Sequence, residues 1–227
     1  MGTPFYVSPE QMYQDRAEYA RKGIAKGRPI VAIDNAEGIV IMAENRSAGL
    51  RKIAEIYDCI AFSAVGKFDE YENLRKHGVR AADLRGFSFS REDVVAANLA
   101  NDYSTLLGTI FTREMKPYEV EILVCEVNPE RNSYFQILYD GTITDRRHYA
   151  SVGGDSDEIH KVLQERWKEG MSLAEAVQLA RDALTRSNNG SGTLDEECLE
   201  VAVLDSRRDG RKFRRLVRDE VRGLLGA

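Results

Sequence analysis

Hairpins alternate with pairs of helices along this chain, and that order constrains its fold more than any other feature. Residues 30–34 and 39–44 are β-rich runs joined by NAEG, with Gly38 placed for the turn. Two short strands follow at 52–57 and 59–65, broken at Asp58. A helix is predicted over 68–87. A second starts at Ser90, with Asp93 three residues on, and runs towards Met115 before Pro117 stops it. Strands at 120–127 and 133–140 flank NPERN, and a third is predicted at 147–152. Helices near 155–167 and 173–187 come next, the latter opened by Ser172 and Glu175. SNNGSG is a loop, and 199–205 and 212–216 close the chain as a hairpin with a short amphipathic tail. Hairpins make the sheets antiparallel, and the recurring helix pairs need an apolar surface to cover. The expectation is an α+β fold: a four-layer αββα sandwich of two antiparallel sheets with helices on both outer faces.

Ahead of this stands SPEQMYQDRAEYARKGIAKG, residues 8–27. Ser8 suits the helix cap, Pro9 the first helical position, and Gln11 completes a capping-box spacing worth about 1 kcal/mol. Tyr13, Ala17, Ala20 and Ile24 share one face with Gly23 beside them, so the backbone can lie close to what it covers. Residues 1–7 show no periodicity and are expected to be mobile. Residues 8–227 are expected to form one domain, with no internal repeat and no linker.

A net charge of −5 over 227 residues argues against a general nucleic-acid binder. No apolar run approaches the length of a membrane helix. Cys59, Cys125 and Cys198 are odd in number and far apart, so free thiols are expected, and His77, His148 and His160 lack metal-ligand spacing. No cofactor is expected. VGGDS at 152–156 lacks a phosphate-loop spacing and reads as a turn before a helix. The basic run RRDGRKFRRLVR, residues 207–218, has Phe213 as its one aromatic and reads as a solvated hairpin that can pair with an acidic neighbour. Asp34 and Glu44 are read as structural carboxylates near one sheet end.

Four segments together carry a resemblance. SPEQMYQDRAEYARKGIAKGR, the block from VAIDNAEGIVIMAENRSAGL to KFDEYENLR, GTIFTREMKPYEVEILVCEV and YDGTITDRRHYASVGG resemble, in order, the α-type subunit of the proteasome core particle in its actinobacterial form. The resemblance implies the N-terminal-nucleophile hydrolase fold with the opening helix across the sandwich mouth. It implies a heptameric ring of identical copies, stacked on proteolytic β subunits and receiving the C-terminal tails of a ring ATPase. Protein substrates pass through in transit, in the cytoplasm, with neither nucleic acid nor membrane as partner.

By the same resemblance, Lys52 of LRKIAEIYD and Gly66 match the pocket that binds an activator's C-terminal carboxylate, although Lys67 stands where archaeal chains have an apolar residue. Met1, Gly2, Thr3, Pro4, Phe5, Tyr6 and Val7 match the gate tips over the axial pore. Pro9 and Tyr19 match positions that support the open gate, offset by one residue from archaeal chains. No catalytic residue is expected: Gly27-Arg28-Pro29-Ile30 runs into the first strand without the Thr, Ser or Cys that a processed N-terminal nucleophile requires. The alternative, an active hydrolase of the same fold, needs such a residue.

Overall fold

A computed structural model describes residues 8–47, 49–187 and 194–226. In chain order the elements are α1 Pro9–Ala25, β1 Ile30–Asn35, β2 Gly38–Glu44, β3 Ile53–Tyr57, β4 Ile60–Gly66, α2 Phe68–Ser88 and α3 Ala96–Arg113. Then follow β5 Val120–Glu126, β6 Ser133–Ile137, β7 Ile143–Arg146, β8 Tyr149–Val152, α4 Ser156–Arg166 and α5 Leu173–Ser187. β9 Leu199–Asp205, β10 Phe213–Arg215 and α6 Arg218–Leu225 close the chain.

Two five-stranded sheets form, ordered β10-β9-β2-β1-β8 and β3-β4-β5-β6-β7, and all their pairings are antiparallel. Their central strands are apolar on both faces, and the period of two sorts each residue to one of two cores. On β1, Ile30 and Ala32 face the other sheet, while Val31 and Ile33 face α4 and α5. On β5, Leu123 and Cys125 face inward, while Ile122 and Val124 pack under α2 and α3. The four expected layers are present: α4, α5 and α6; the first sheet; the second sheet; and α2 with α3.

The fifth piece is α1. Its Ala20 and Ile24 are buried members of the core between the two sheets, so the helix plugs the end of the sandwich instead of lying on an outer face. Tyr13 is half exposed and rests on Phe111 with ring centroids 5.7 Å apart. The Arg16 guanidinium donates to the carbonyls of Phe111 and Glu114, which lie at the C-terminal end of α3. The cap at Ser8 is half of the expected box: the Gln11 backbone N–H donates to Ser8 Oγ at 3.2 Å, but the Gln11 side chain turns to Asp15.

Three readings need correction. The second strand block has four strands, because β7, with ITDR half exposed at a sheet edge, lacks the apolar alternation that marks a strand. Ser90 and Asp93 do form a capping box, but around a single 3-10 turn at Arg91–Asp93. Val94 and Val95 are extended, and α3 begins only at Ala96, where the buried Glu126 carboxylate accepts the backbone N–H at 2.9 Å. Asp34 and Glu44 sit at opposite ends of the β1–β2 hairpin, since antiparallel pairing sets Asp34 against Ile39 and Ile30 against Ala43. All three cysteines are free. Among the described residues no helix is long and apolar enough to cross a membrane.

Candidate functional site

The junction 26–29, where α1 gives way to β1, is crowded from two sides. From one side comes Lys52, which immediately precedes β3. Glu200 fixes its backbone: the carboxylate accepts the N–H groups of Lys52 at 3.1 Å and Ile53 at 3.3 Å, the Asn45 amide at 2.6 Å, and the Arg215 guanidinium. So anchored, the Lys52 side chain runs to the junction, and Nζ donates to the Arg28 carbonyl at 2.9 Å. No carboxylate of a described residue forms an ion pair with it. Burial, with the Arg28 guanidinium adding to it, lowers the ammonium pKa to about 8, against the smaller opposing pull of Glu200 and Glu44. Glu44 is itself paired with Arg28 and Arg46.

From the other side comes Gly66, the last residue of β4. Its φ of +124° lies outside the range of L side chains, and a Cβ there would run into the Glu119 carbonyl, 2.9 Å from its carbon. Gly27 faces it, with its own Cβ position only 3.4 Å from the Gly66 nitrogen. Thus Lys52 and Gly66 meet the same junction, one by a hydrogen bond and one by close backbone approach. Gly66 shapes the site and offers no side chain to it. Lys67 is half exposed and drawn away, with Nζ 3.3 Å from Asp69 and 3.7 Å from Glu70.

The two positions on α1 matched to gate support divide. Pro9 is exposed at the first helical turn. Tyr19 joins a network the sequence did not reveal. Lys116 Nζ lies 5.6 Å from the Tyr19 ring centroid and reaches Glu70 at 2.7 Å and Glu119 at 2.8 Å. The Lys116 bond holds the Glu119 carboxyl below its usual range, and the neighbouring Tyr19 lowers it further. A Cβ on Gly23 would collide with the Glu119 carboxylate, so the bare face of α1 is what lets this network close. It ties α1 to α2 and to the segment after α3. Its members are 46 to 100 positions apart in sequence apart from Lys116 and Glu119 themselves, and the one local signal is that pair, spaced by three around Pro117. The seven gate candidates, residues 1–7, lie outside the described residues. Among the described residues no cluster of His, Cys, Asp and Glu could hold a metal ion.

Comparison with known proteins gives one consistent result. The family model described as "Proteasome subunit" matches residues 24–204. The chain is 50% identical to the proteasome subunit alpha of Kineococcus radiotolerans, over 99% of this chain and 98% of that one. It is 51% identical to that of Streptomyces coelicolor, covering 99% and 91%, and 48% identical to that of Acidothermus cellulolyticus, covering 99% and 98%. With the sandwich, the plugged mouth and these relatives in agreement, the chain belongs to the proteasome subunit family, alongside its actinobacterial alpha subunits.

Proposed function

We propose that this chain is the non-catalytic α subunit of a proteasome core particle in the degradation of tagged proteins. Seven identical copies form the outer ring, which stacks on a ring of β subunits where threonine-dependent proteolysis resides. Residues 1–7 restrict passage of protein substrates into the chamber, and Lys52 receives the C-terminal carboxylate of a ring ATPase in the cytoplasm. The observation that carries the docking role is the Lys52 ammonium, poised on a backbone carbonyl with no carboxylate partner among the described residues. A carboxylate arriving there forms a charge-assisted hydrogen bond with a group that is already partly desolvated. Each tail binds weakly alone, and several tails on one ATPase ring act together through effective concentration. The non-catalytic role is supported by Ala20 and Ile24, which fill the mouth of the sandwich next to the start of β1.

The native mass of the chain, alone and then with its β partner, tests the assembly. A closed ring of seven 25.6 kDa chains weighs about 179 kDa. A chain that stays monomeric and ignores β subunits overturns the reading. Deletion of residues 1–7 tests the gate: peptide hydrolysis by the assembled particle is expected to rise several-fold with unchanged β-subunit chemistry. An unchanged rate removes the gate role.

A further inference from the structure

Glu121 puts a carboxylate inside the core between the two sheets. It lies on β5 directly opposite Val65 of β4 and shares the inward face of its strand with Leu123 and Cys125. The carboxylate accepts two hydrogen bonds, from the Gln136 amide at 2.5 Å and from the Gly153 backbone N–H at 2.8 Å. Behind Gln136 stands Arg146, whose Nε donates to the Gln136 side-chain oxygen at 3.1 Å. Burial raises the Glu121 pKa, against the pull of those two hydrogen bonds and of Arg146. An apolar side chain would fill a place opposite a valine at less cost, so what the carboxylate adds is an acceptor fixed at one point. That point is the turn between β8 and α4. The pairing of Ile30 with Val152 brings this turn beside the start of β1. A Cβ on Gly153 would stand 2.6 Å from Val65 Cγ1, and one on Gly154 would stand 3.3 Å from the Gly27 carbonyl oxygen and 3.6 Å from Pro29 Cδ. The turn therefore lies against the peptides on both sides of Arg28, whose carbonyl holds the Lys52 ammonium.

We propose, on the reading of Lys52 as the residue that receives an activator's carboxylate, that Glu121 is a positioning residue for it. By fixing the Gly153 N–H, Glu121 holds the 153–154 turn against Gly27 and Pro29, and so sets where the Arg28 carbonyl and the Lys52 ammonium stand. The contacts run without a gap from Glu121 through Gly153, Gly154 and the junction to Lys52. They pass through backbone atoms, which have less room to adjust than side chains. Glu200 anchors the backbone of Lys52 from one side, and Glu121 anchors the acceptor of its side chain from the other. A charge-assisted hydrogen bond to an incoming carboxylate depends on the place of the ammonium, so a loosened junction weakens docking with Lys52 itself unaltered.

Three variants of the full chain, each assembled with β subunits, test this. Glu121→Leu keeps the bulk without an acceptor, Glu121→Asp keeps the charge without the reach, and Glu121→Gln keeps an oxygen for the Gly153 N–H. The readout is the pH dependence of Lys52 amine labelling, followed by mass spectrometry, which needs no activator. In the unaltered chain Lys52 is expected to titrate near 8. In the Leu and Asp variants the junction opens to water, and the titration is expected to rise towards 10.5, by about one unit or more. Loss of a negative charge alone would lower it. The Gln variant is expected to stay near 8. At pH 7, where Lys52 is protonated in every variant, the Leu and Asp particles are expected to need several-fold more ring ATPase for half-maximal stimulation, and the Gln particle no more than the unaltered one. A carboxylate that only stabilises the fold changes the unfolding temperature and leaves Lys52 where it is. Lys52 titrating near 8 in the Leu or the Asp variant overturns the positioning role, whatever the ATPase does. A raised titration with an unchanged ATPase response in a particle that Lys52→Ala does disable overturns it too. Normal stimulation of the Lys52→Ala particle overturns the docking reading instead.

Discussion

Lys52→Ala is expected to abolish ATPase-stimulated degradation of folded substrates while leaving the particle assembled and its peptide hydrolysis intact. The charged hydrogen bond that alanine removes is worth about 1.5–3 kcal/mol per tail, or roughly 10- to 150-fold in the affinity of each tail. Tails on one ATPase ring bind together, so these losses compound and stimulation disappears. The pH dependence follows from the site. Docking needs the ammonium, whose pKa burial has lowered to about 8. Affinity is therefore full below pH 8, and it weakens by up to about tenfold per pH unit for each tail above it. The same shift acts on stability with its own sign. The unfolded chain keeps the proton up to the ordinary lysine value of 10.5, so between pH 8 and 10.5 the unfolded state binds more protons and stability rises with pH. Lys52→Met, which cannot ionise, is expected to lack that rise while losing docking as alanine does. ATPase-stimulated turnover measured from pH 7 to 9.5, beside thermal unfolding over the same range, checks both. Normal stimulation by the Lys52→Ala particle assigns docking to another residue.

The sequence displayed the layers because they depend on patterns local to each element. Hairpin loops such as NAEG fix antiparallel neighbours, and the apolar runs around them are too long and too dry for a sheet with a wet face. It concealed what depends on distance or backbone torsion. β7 escaped notice because its residues are half exposed at an edge. The Ser90 box reads identically whether it caps a long helix or one 3-10 turn, and the outcome turned on Glu126, thirty-six residues away, capping Ala96 instead. The opening helix showed its small-residue face but not its depth, because nothing local distinguishes covering a sheet from plugging a core. Lys52 stood out through a resemblance, and its lowered pKa comes first from burial and then from Arg28, against the weaker opposing pull of Glu200 and Glu44, none of which is local to it in sequence. Glu70, Lys116 and Glu119 had no signal beyond their charge.

Gly66→Ala is expected to be among the most damaging single-methyl changes available to this chain. The residue holds φ at +124°, where a side chain strains the backbone itself, by about 1–3 kcal/mol. The added Cβ also meets main chain and not a movable side chain: the Glu119 carbonyl, and the Val120 Cα at 3.0 Å. Those atoms belong to the start of β5, which pairs with β4 through Gly66 and Val120 themselves, so neither strand can yield without opening the ladder. A loss of about 4 kcal/mol or more is therefore expected, which lowers the unfolding temperature by roughly 8–16 °C for a chain of this size. This separates the two residues of the proposed docking site. Lys52→Ala should remove docking and spare the fold, whereas Gly66→Ala should reduce docking only to the extent that it disturbs β4 and the junction at Gly27. Equal unfolding temperatures for Gly66→Ala and the unaltered chain, together with lost docking, would make Gly66 a direct contact for the incoming tail. A large fall in unfolding temperature makes it the backbone support that holds the junction under Lys52.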